Sequence, residues 1–272
     1  MAQSDPSAPK LRRVQEALPR FASMRTIMAL ILREMATSYG RSPGGYLWAI
    51  LEPAAGVAAM VVIFSLGFRS PPLGDNFAIY YASGLLPFLM FVNTSSKTQQ
   101  AINYSRQLLA YPRVTFVDAL LARFALTVLT QAAVGVIIFT FIKVTMDTRT
   151  ILDLGALLNA YGMAAATGFG VGVMNCLLVS RHAIWSTVWS VITRPLMLLS
   201  GVIFLHDRIP DPYRTWLEWN PLVHAVGEAR RAFYYSYRGT YIDPVFTYGL
   251  ALICATVGLL FLHSYYRDLL ER

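Results

Sequence analysis

One arginine lies where a charge is costly. Arg194 falls midway through the apolar stretch 183–205, directly before Pro195. A charged side chain at the centre of a membrane helix costs about 2.5–3.5 kcal/mol on insertion scales, and such residues usually face a cavity or a partner. We therefore predict that Arg194 faces a polar pathway that attracts anions. The alternative is that the helix is shifted along its axis and that Arg194 reaches the membrane surface.

Three tryptophans accompany this arginine as candidate pathway residues. Trp185 and Trp189 lie one helical turn apart in the same stretch, and Trp219 follows it along the chain. Indole rings at this spacing can stack on sugars, so we expect these side chains to line the pathway with Arg194. The alternative is that they only pack against the rest of the protein.

A second basic group precedes the apolar stretches. Residues 22–38 predict an amphipathic helix that lies in the plane of the membrane surface, because its polar face carries arginines. Arg25 and Arg33 on this helix, with Arg41 just beyond it, are placed to meet the phosphate of a lipid-linked substrate entering from the side. The alternative is a plain surface anchor. The apolar face consists of Met24, Ile27, Met28, Ile31 and Met35.

Several catalytic patterns are absent from the sequence. It contains no G-x-x-x-x-G-K-[ST] phosphate-binding loop, no H-E-x-x-H zinc pattern and no G-x-S-x-G nucleophile turn. We therefore expect no catalytic residue, no metal site and no cofactor in this chain, which would act as a binding or transport subunit.

The composition indicates which elements must position the arginines. The chain has 272 residues, of which 56% are hydrophobic and 14% are charged. A soluble domain has roughly 25% charged residues, so an ordinary cytosolic enzyme, a disordered chain and a disulfide scaffold are excluded. The net charge of +8 suits contact with anionic lipid headgroups, and we expect no nucleic-acid partner.

The hydropathy pattern predicts an all-α, polytopic membrane protein with six transmembrane helices. Residues 1–47 are expected to form a cytoplasmic N-terminal segment with the interface helix, and residues 48–272 to form the transmembrane domain. Residues 1–47 hold seven Lys and Arg, which places both termini in the cytoplasm. The predicted spans are 48–68, 77–96, 117–142, 151–179, 183–205 and 244–266. Asp118 and Arg123 near the start of the third span are expected to reach the membrane surface.

Two connections on the cytoplasmic side are candidate docking points. The loop 97–116 contains a short polar helix that ends before Pro112, and a turn at 180–182 follows the fourth span. We expect both to contact a cytoplasmic partner, although an ordinary solvated connector is the alternative for the loop. The predicted docking residues are Tyr104, Arg106, Gln107, Tyr111, Arg113, Arg181 and His182.

The segment 206–243 is too apolar for a solvated loop. It holds Trp216 and Trp219, and an apolar periodicity begins after Pro221. We predict a re-entrant helical pair that dips back from the outer face before the last span. Backbone at that depth is tolerated only inside protein or beside water, so this element would line or cap a pathway.

Four runs of residues resemble a known family. The run 193–204 (TRPLMLLSGVIF), the run 219–224 (WNPLVH) and the run 228–230 (EAR) resemble the signature of type-two ATP-binding-cassette exporter permeases. The run 45–53 (GYLWAILEP) resembles that of the capsular polysaccharide export permeases. The resemblance covers nearly the whole chain from about residue 21.

This resemblance implies a permease subunit of the bacterial inner membrane that pairs as a homodimer. Each pair would bind two copies of a cytoplasmic ATPase subunit, which holds ATP and Mg²⁺. It would export a lipid-linked acidic polysaccharide, passed on through a periplasmic adaptor and an outer-membrane channel. The docking points at 97–116 and 180–182 would meet the ATPase.

Other functions stay open at this point. The same machine could export O-antigen, teichoic acid or a small hydrophobic molecule. A different class is a membrane enzyme that acts on lipid-linked sugars, for which Glu52 and Asp118 are the candidate carboxylates. A passive channel or structural membrane protein would leave the polar 97–116 loop without a purpose.

Overall fold

The computed structural model describes residues 22–38, 45–109 and 114–271, and within these ranges every regular element is a helix. The α-helices, in chain order, are α1 (Ala22–Ser38), α2 (Gly45–Gly67), α3 (Phe77–Gln99), α4 (Ala101–Leu109), α5 (Phe116–Thr145), α6 (Leu154–Arg181), α7 (Ile184–Leu199), α8 (Tyr213–Leu217), α9 (Pro221–Phe233) and α10 (Pro244–Glu271).

Five of these helices are long and apolar enough to cross a membrane, namely α2, α3, α5, α6 and α10. They correspond to five of the six predicted spans. The sixth predicted span, 183–205, contains only the 16 residues of α7. The helix ends there because Gly201 adopts a left-handed φ of +73°, which a right-handed helix cannot continue.

Helices α3 and α6 form the centre of the molecule. In its most apolar stretch, 78% of the α3 residues are buried, against 11% in α2. The two central helices approach closely because α6 presents glycines to α3: a Cβ at Gly172 would lie 2.7 Å from the Cβ of Thr98. The remaining helices pack around this pair, and α9 contacts both members.

At one end of the molecule, α1 and α4 pack against helices that are distant from them in sequence. Helix α4 contributes Ile102 to a buried hydrophobic cluster that also contains Leu120 near the start of α5, Cys176 near the end of α6 and Leu262 of α10. Helix α1 packs against α5 at the same end. Helix α1, helix α4 and the turn at 180–182 therefore lie at one end of the molecule, in agreement with the prediction that they share one side.

The opposite end is built from the remaining connections. Asn76 donates through Nδ2 to the carbonyl oxygen of Asp147 at 3.4 Å. The backbone N–H of Asp153, the N-cap of α6, donates to the carbonyl oxygen of Ala232 at 2.7 Å. Arg208 donates to the carbonyl oxygen of Pro72 at 2.9 Å. The segment 206–243 thus belongs to the end opposite α4.

Helix α9 begins where the sequence predicts it. The Asn220 side chain accepts a hydrogen bond from the N–H of Leu222, and Pro221 occupies the first turn, where its missing N–H costs nothing. Asn220 also donates to the carbonyl oxygen of Leu199 at 3.1 Å, so α9 begins beside the end of α7. Its side chains are buried almost along its whole length.

Candidate functional site

A buried ion pair joins the N-terminal helix to the bundle. Arg123 of α5 donates through Nε to both carboxylate oxygens of Glu34 in α1, at 3.0 and 3.2 Å. The side chains of Arg123 and Glu34 are only 5% and 8% exposed. A pair that is removed from water is held firmly in place because separating it would leave two uncompensated charges.

The same arginine reaches two further elements. Its Nη1 donates to the carbonyl oxygen of Lys97 at the end of α3, at 3.1 Å. Its Cζ lies 4.1 Å from the ring centroid of Tyr104 in α4, a cation–π contact. Arg123 therefore ties α1, α3 and α4 to α5, and we call this group of contacts the Arg123 junction.

Asp118 and Arg123 are both buried, because each has a partner inside the protein, so neither charge depends on reaching the membrane surface. Asp118 accepts hydrogen bonds from the N–H and the hydroxyl of Thr115, which in turn caps the N–H of Asp118. This capping box begins α5 and occupies one of the two carboxylates that an enzyme reading of the sequence required.

Helix α4 presents a polar surface at this end of the molecule. Its buried face consists of Ala101, Ile102, Ser105 and Leu109, while Arg106 and Gln107 are exposed. Tyr104 is 41% exposed and covers Arg123. Tyr111 and Arg113, the other predicted docking residues of this loop, lie outside the described residues.

The turn after α6 contributes to the same end. Arg181 and His182 are both exposed, and the Arg181 guanidinium lies 5.8 Å from the ring centroid of Tyr265 in α10. Because α4 shares a buried hydrophobic cluster with Cys176 of α6 and Leu262 of α10, this turn and the exposed face of α4 lie at the same end of the molecule and form an exposed surface there. We call this surface, made of Tyr104, Arg106, Gln107, Arg181 and His182, the α4 surface.

The helix α1 occupies the range that the sequence predicts, Ala22–Ser38. Arg25 and Arg33 are exposed on it, whereas Glu34 turns toward α5. Met24 and Met28 of its apolar face are 64% and 52% exposed, so the described part of the chain leaves these two side chains uncovered. Arg41, the third predicted entrance arginine, lies outside the described residues.

Helix α7 separates the predicted pathway residues. Trp185 donates through Nε1 to Oδ1 of Asn175 in α6 at 3.0 Å, and Trp189 packs against the hydrophobic core. Arg194 is exposed and lies nine residues after Trp185, half a turn round the helix. The tryptophans thus face the bundle, whereas Arg194 points away from it, and the structure does not bring the three together.

Trp219 lies elsewhere again. It is 75% exposed, in the link between α8 and α9, and its ring meets that of Phe246 edge-on at 6.3 Å. It stands at the end of the molecule that is opposite the α4 surface.

A buried arginine that was not singled out from the sequence organises that end. Arg230 of α9 is 1% exposed, and it donates to the carbonyl oxygens of Val202 at 2.9 Å and Phe204 at 3.2 Å. Its Cζ lies 4.4 Å from the ring centroid of Tyr80. Arg230 therefore fixes the chain that leaves α7. The only sequence signal was its place in the signature run 228–230.

Glu228, two residues earlier, fastens α9 to α6. It accepts a hydrogen bond from Nδ2 of Asn159 at 3.0 Å and from Nη2 of Arg231 at 2.6 Å. Glu228 is 1% exposed, so its charge is balanced by the arginine beside it.

The histidines and tyrosines of this end serve structure. His224 accepts from the N–H of Asp243 at Nδ1, and its Nε2 contacts the carbonyl oxygen of Glu218, so both ring nitrogens are used. Burial raises the pKa of Tyr237 to about 12, so its hydroxyl stays protonated at neutral pH. Among the described residues no group of three or more His, Cys, Asp or Glu is placed to hold a metal ion.

Comparison with known families identifies the family to which the chain belongs. The sequence model of the ABC-2 type transporter family matches residues 25–234, a range that runs from the first turn of α1 to the end of α9. The chain belongs to the ABC-2 type transporter family. The residues of the Arg123 junction and Arg230 all lie within this matched range.

Three relatives refine the comparison. The polysialic acid transport protein KpsM of Escherichia coli is 30% identical over 207 residues, which cover 76% of this chain and 80% of KpsM. The capsule polysaccharide export inner-membrane protein CtrC of Neisseria meningitidis serogroup A is 26% identical, covering 86% of this chain and 89% of CtrC. The corresponding protein BexB of Haemophilus influenzae is 25% identical, covering 77% of this chain and 79% of BexB.

Proposed function

We propose that this chain is the membrane-spanning permease subunit of an ATP-driven exporter that moves lipid-linked capsular polysaccharide across the bacterial inner membrane. The observation that carries the proposal is the match to KpsM, CtrC and BexB over 79–89% of their lengths. Each of these proteins is named for polysialic acid transport or for capsule polysaccharide export. The family membership and the five apolar helices support it.

The proposed topology has six spans, with α7 as the short fifth crossing and both termini in the cytoplasm. The end that carries the α4 surface would face the cytoplasm, because the N-terminal segment holds seven Lys and Arg. Helix α1 would lie in the plane of the membrane surface, with its exposed methionines in contact with the lipid. Helix α9, which starts beside the end of α7 and returns to the level of Asp153, would be the re-entrant element.

The proposed partners follow from two uncovered regions. The α4 surface would receive a cytoplasmic ATPase subunit, two copies of which bind ATP and Mg²⁺ for a pair of permeases. Helix α7, along which the described chain buries no residue, supports a homodimer in which a second copy covers its apolar side chains. A periplasmic adaptor and an outer-membrane channel would continue the route.

The proposed substrate path begins at the exposed arginines of α1. Arg25 and Arg33, with Arg41, would meet the phosphate of the lipid-linked polymer. Arg194 on the outward face of α7 would attract the polyanion between the two copies. Trp219 at the far end would offer a face for sugar stacking on exit.

Co-purification tests the proposal. The chain would be tagged, extracted in mild detergent and analysed for bound proteins. A stoichiometric ATPase with a phosphate-binding loop is the expected companion, and ATP hydrolysis by the complex should rise when lipid-linked polymer is added. A chain that stays alone, in detergent that keeps related transporter complexes intact, would contradict the proposal.

A further inference from the structure

A single depression of about 740 Å³ opens at the end of the molecule opposite the α4 surface. It is lined by the segment 151–153, by Arg231 in the last turn of α9 and by the turn 235–238. The N–H of Asp153 donates to the carbonyl oxygen of Ala232 at 2.7 Å, and a hydrogen bond of 2.9 Å between the backbones of Tyr237 and Tyr234 closes the turn. The walls of the depression are therefore tied to α9.

The guanidinium of Arg231 is held in place at this depression. Its Nη2 donates to Oε1 of Glu228 at 2.6 Å, and Nδ2 of Asn159 donates to the same oxygen at 3.0 Å. The side chain of Glu228 is 1% exposed and does not line the depression, whereas that of Arg231 is 46% exposed and does. The carboxylate thus lies behind the guanidinium, whose other N–H groups remain for a ligand. A guanidinium positioned in this way is typical of a site for carboxylates or phosphates.

The other charges at the depression also favour an anion. Arg238 lines it, is exposed, and forms no ion pair or hydrogen bond with another described residue. Among the lining residues the one carboxylate is Asp153, whose Oδ1 accepts from the N–H of Ala156 at the N-terminus of α6. The dipole of α6 partly compensates the charge of Asp153, and its remaining lone pairs can accept from hydroxyl groups.

An uncovered aromatic ring completes the set. Tyr235 is 95% exposed at the tip of the turn, with the exposed Ser236 beside it. Inorganic phosphate would use the guanidinium groups alone, and an acyl chain would have to displace water from four charged or polar side chains. A sugar acid matches the whole set, because its carboxylate suits the arginines, its hydroxyls suit Asp153 and Ser236, and the apolar face of its ring can stack on Tyr235.

We propose that this depression binds the carboxylate-bearing sugars of an acidic glycan, with a sugar carboxylate at Arg231 and Arg238 and a sugar ring on Tyr235. It would hold the polymer where it leaves the permease, so the identity of the natural ligand rests on the proposed function. Binding itself requires neither ATP nor a partner subunit.

Fluorescence anisotropy with labelled oligomers and the purified full chain in lipid nanodiscs tests this site. The probe is a hexamer of galacturonic acid. Its fully methyl-esterified form has the same rings without the charge, and hexaglutamate has the charge without the rings. The galacturonate hexamer should bind at least about fivefold more tightly than either comparison probe, because each lacks one of the two contacts. Equal affinity for either comparison probe would overturn the proposal.

Two exposed side chains can be changed against matched controls. Tyr235→Ala should weaken binding of the hexamer about fivefold, and Arg238→Gln about tenfold, because a hydrogen bond to a charged group is lost. Tyr213→Ala and Arg69→Gln alter exposed residues of the same types outside the depression and should leave the affinity unchanged. Test variants that bind like their controls would place the glycan elsewhere and overturn the proposal.

Two further results separate this site from its alternatives. Arg231→Lys keeps a positive charge beside Glu228, so the fold should persist, but it loses the planar fork and should also weaken binding; unchanged affinity would contradict the role of Arg231. Displacement of the hexamer by short-chain phosphatidylglycerol would assign the depression to a lipid headgroup instead. A chain that binds the hexamer without an ATPase companion would fail the proposed function alone, whereas a chain with its ATPase and no preference for the hexamer would fail only this inference.

Discussion

At the residue scale, the buried charges hold elements together. Arg123 neutralises the charge of Glu34, donates a hydrogen bond to the carbonyl oxygen of Lys97 and makes a cation–π contact with Tyr104. Arg230 has no carboxylate within ion-pair distance among the described residues, and two carbonyl oxygens and the face of Tyr80 stabilise it instead. Buried charges are retained only where such partners surround them.

Arg123→Met should strongly destabilise the protein, because it leaves Glu34 charged and buried. Breaking a buried pair costs about 3–5 kcal/mol, whereas replacing both members is close to neutral. We therefore expect a large fall in the thermal unfolding temperature in detergent, and recovery of most of it in the double variant Glu34→Leu with Arg123→Met. An unchanged unfolding temperature in the single variant would contradict this account of the Arg123 junction.

Arg230→Lys should fail to preserve the protein despite conserving the charge. A guanidinium donates in two directions to Val202 and Phe204, which a lysine ammonium group on a flexible stem cannot match. The expected result is a lower unfolding temperature and faster proteolysis of the 200–209 segment. Arg238→Lys, at an exposed position, is the control, and equal behaviour of the two variants would argue against the positioning role.

The sequence identified some of these residues and not others, for physical reasons. Arg194 is visible because a charge interrupts an apolar stretch. Arg230 and Glu228 lie in a segment of ordinary polarity, and only packing against α3 and α6 buries them. The pairing of Glu34 with Arg123 joins positions 89 residues apart, which no local pattern reveals.

At the element scale, local chemistry sets most helix boundaries, and it can be read from the sequence. Asn220 with Pro221 begins α9, and the amphipathic pattern gives α1 its full range. The short α7 was not foreseen, because the apolar stretch continues past Gly201 and hydropathy is insensitive to a left-handed backbone.

Gly172→Ala tests the close approach of the two central helices. The added Cβ would lie 2.7 Å from that of Thr98 and 3.0 Å from the backbone oxygen of Ser95, so α3 and α6 must separate. Gly249→Ala in α10 meets nothing within 4 Å and should stabilise its helix by up to about 1 kcal/mol. Unfolding temperatures should therefore move in opposite directions, and a shared increase would refute the packing argument.

The docking role of α4 is tested by charge reversal. Arg106→Glu combined with Gln107→Glu changes two exposed side chains, so the fold should persist while the amount of co-purified ATPase subunit falls at least several-fold. Arg238→Glu, on the far end, is the matched control. Undiminished ATPase recovery with the double variant would remove α4 from the proposed interface.

At the scale of the whole molecule, the connections sort into two ends. The segments that positive charge assigns to the cytoplasm meet around α4, and the others meet around the 206–243 segment. Hydropathy and charge predict which connections share an end, because hydropathy locates each membrane span and successive connections must then alternate between the two ends. The sequence indicates that the segment containing α9 is apolar. It does not indicate that α9 is buried against α3 and α6, because that burial depends on tertiary packing.

Cysteine labelling tests the proposed sidedness. In a background without Cys176 and Cys254, Gln107→Cys and Arg238→Cys place one thiol at each end. A membrane-impermeant maleimide should label Arg238→Cys in intact spheroplasts and Gln107→Cys only after lysis. The reverse pattern would invert the topology.

The most direct test of the central claim is ATP-dependent transport in proteoliposomes. The chain and its co-purified ATPase would be reconstituted with lipid-linked capsular polysaccharide, and transfer into the lumen would be measured as protection of the polymer from an added depolymerase. We predict that protection increases with ATP and not with a hydrolysis-resistant analogue. Protection that is independent of ATP, or absent although the complex hydrolyses ATP, would contradict the account.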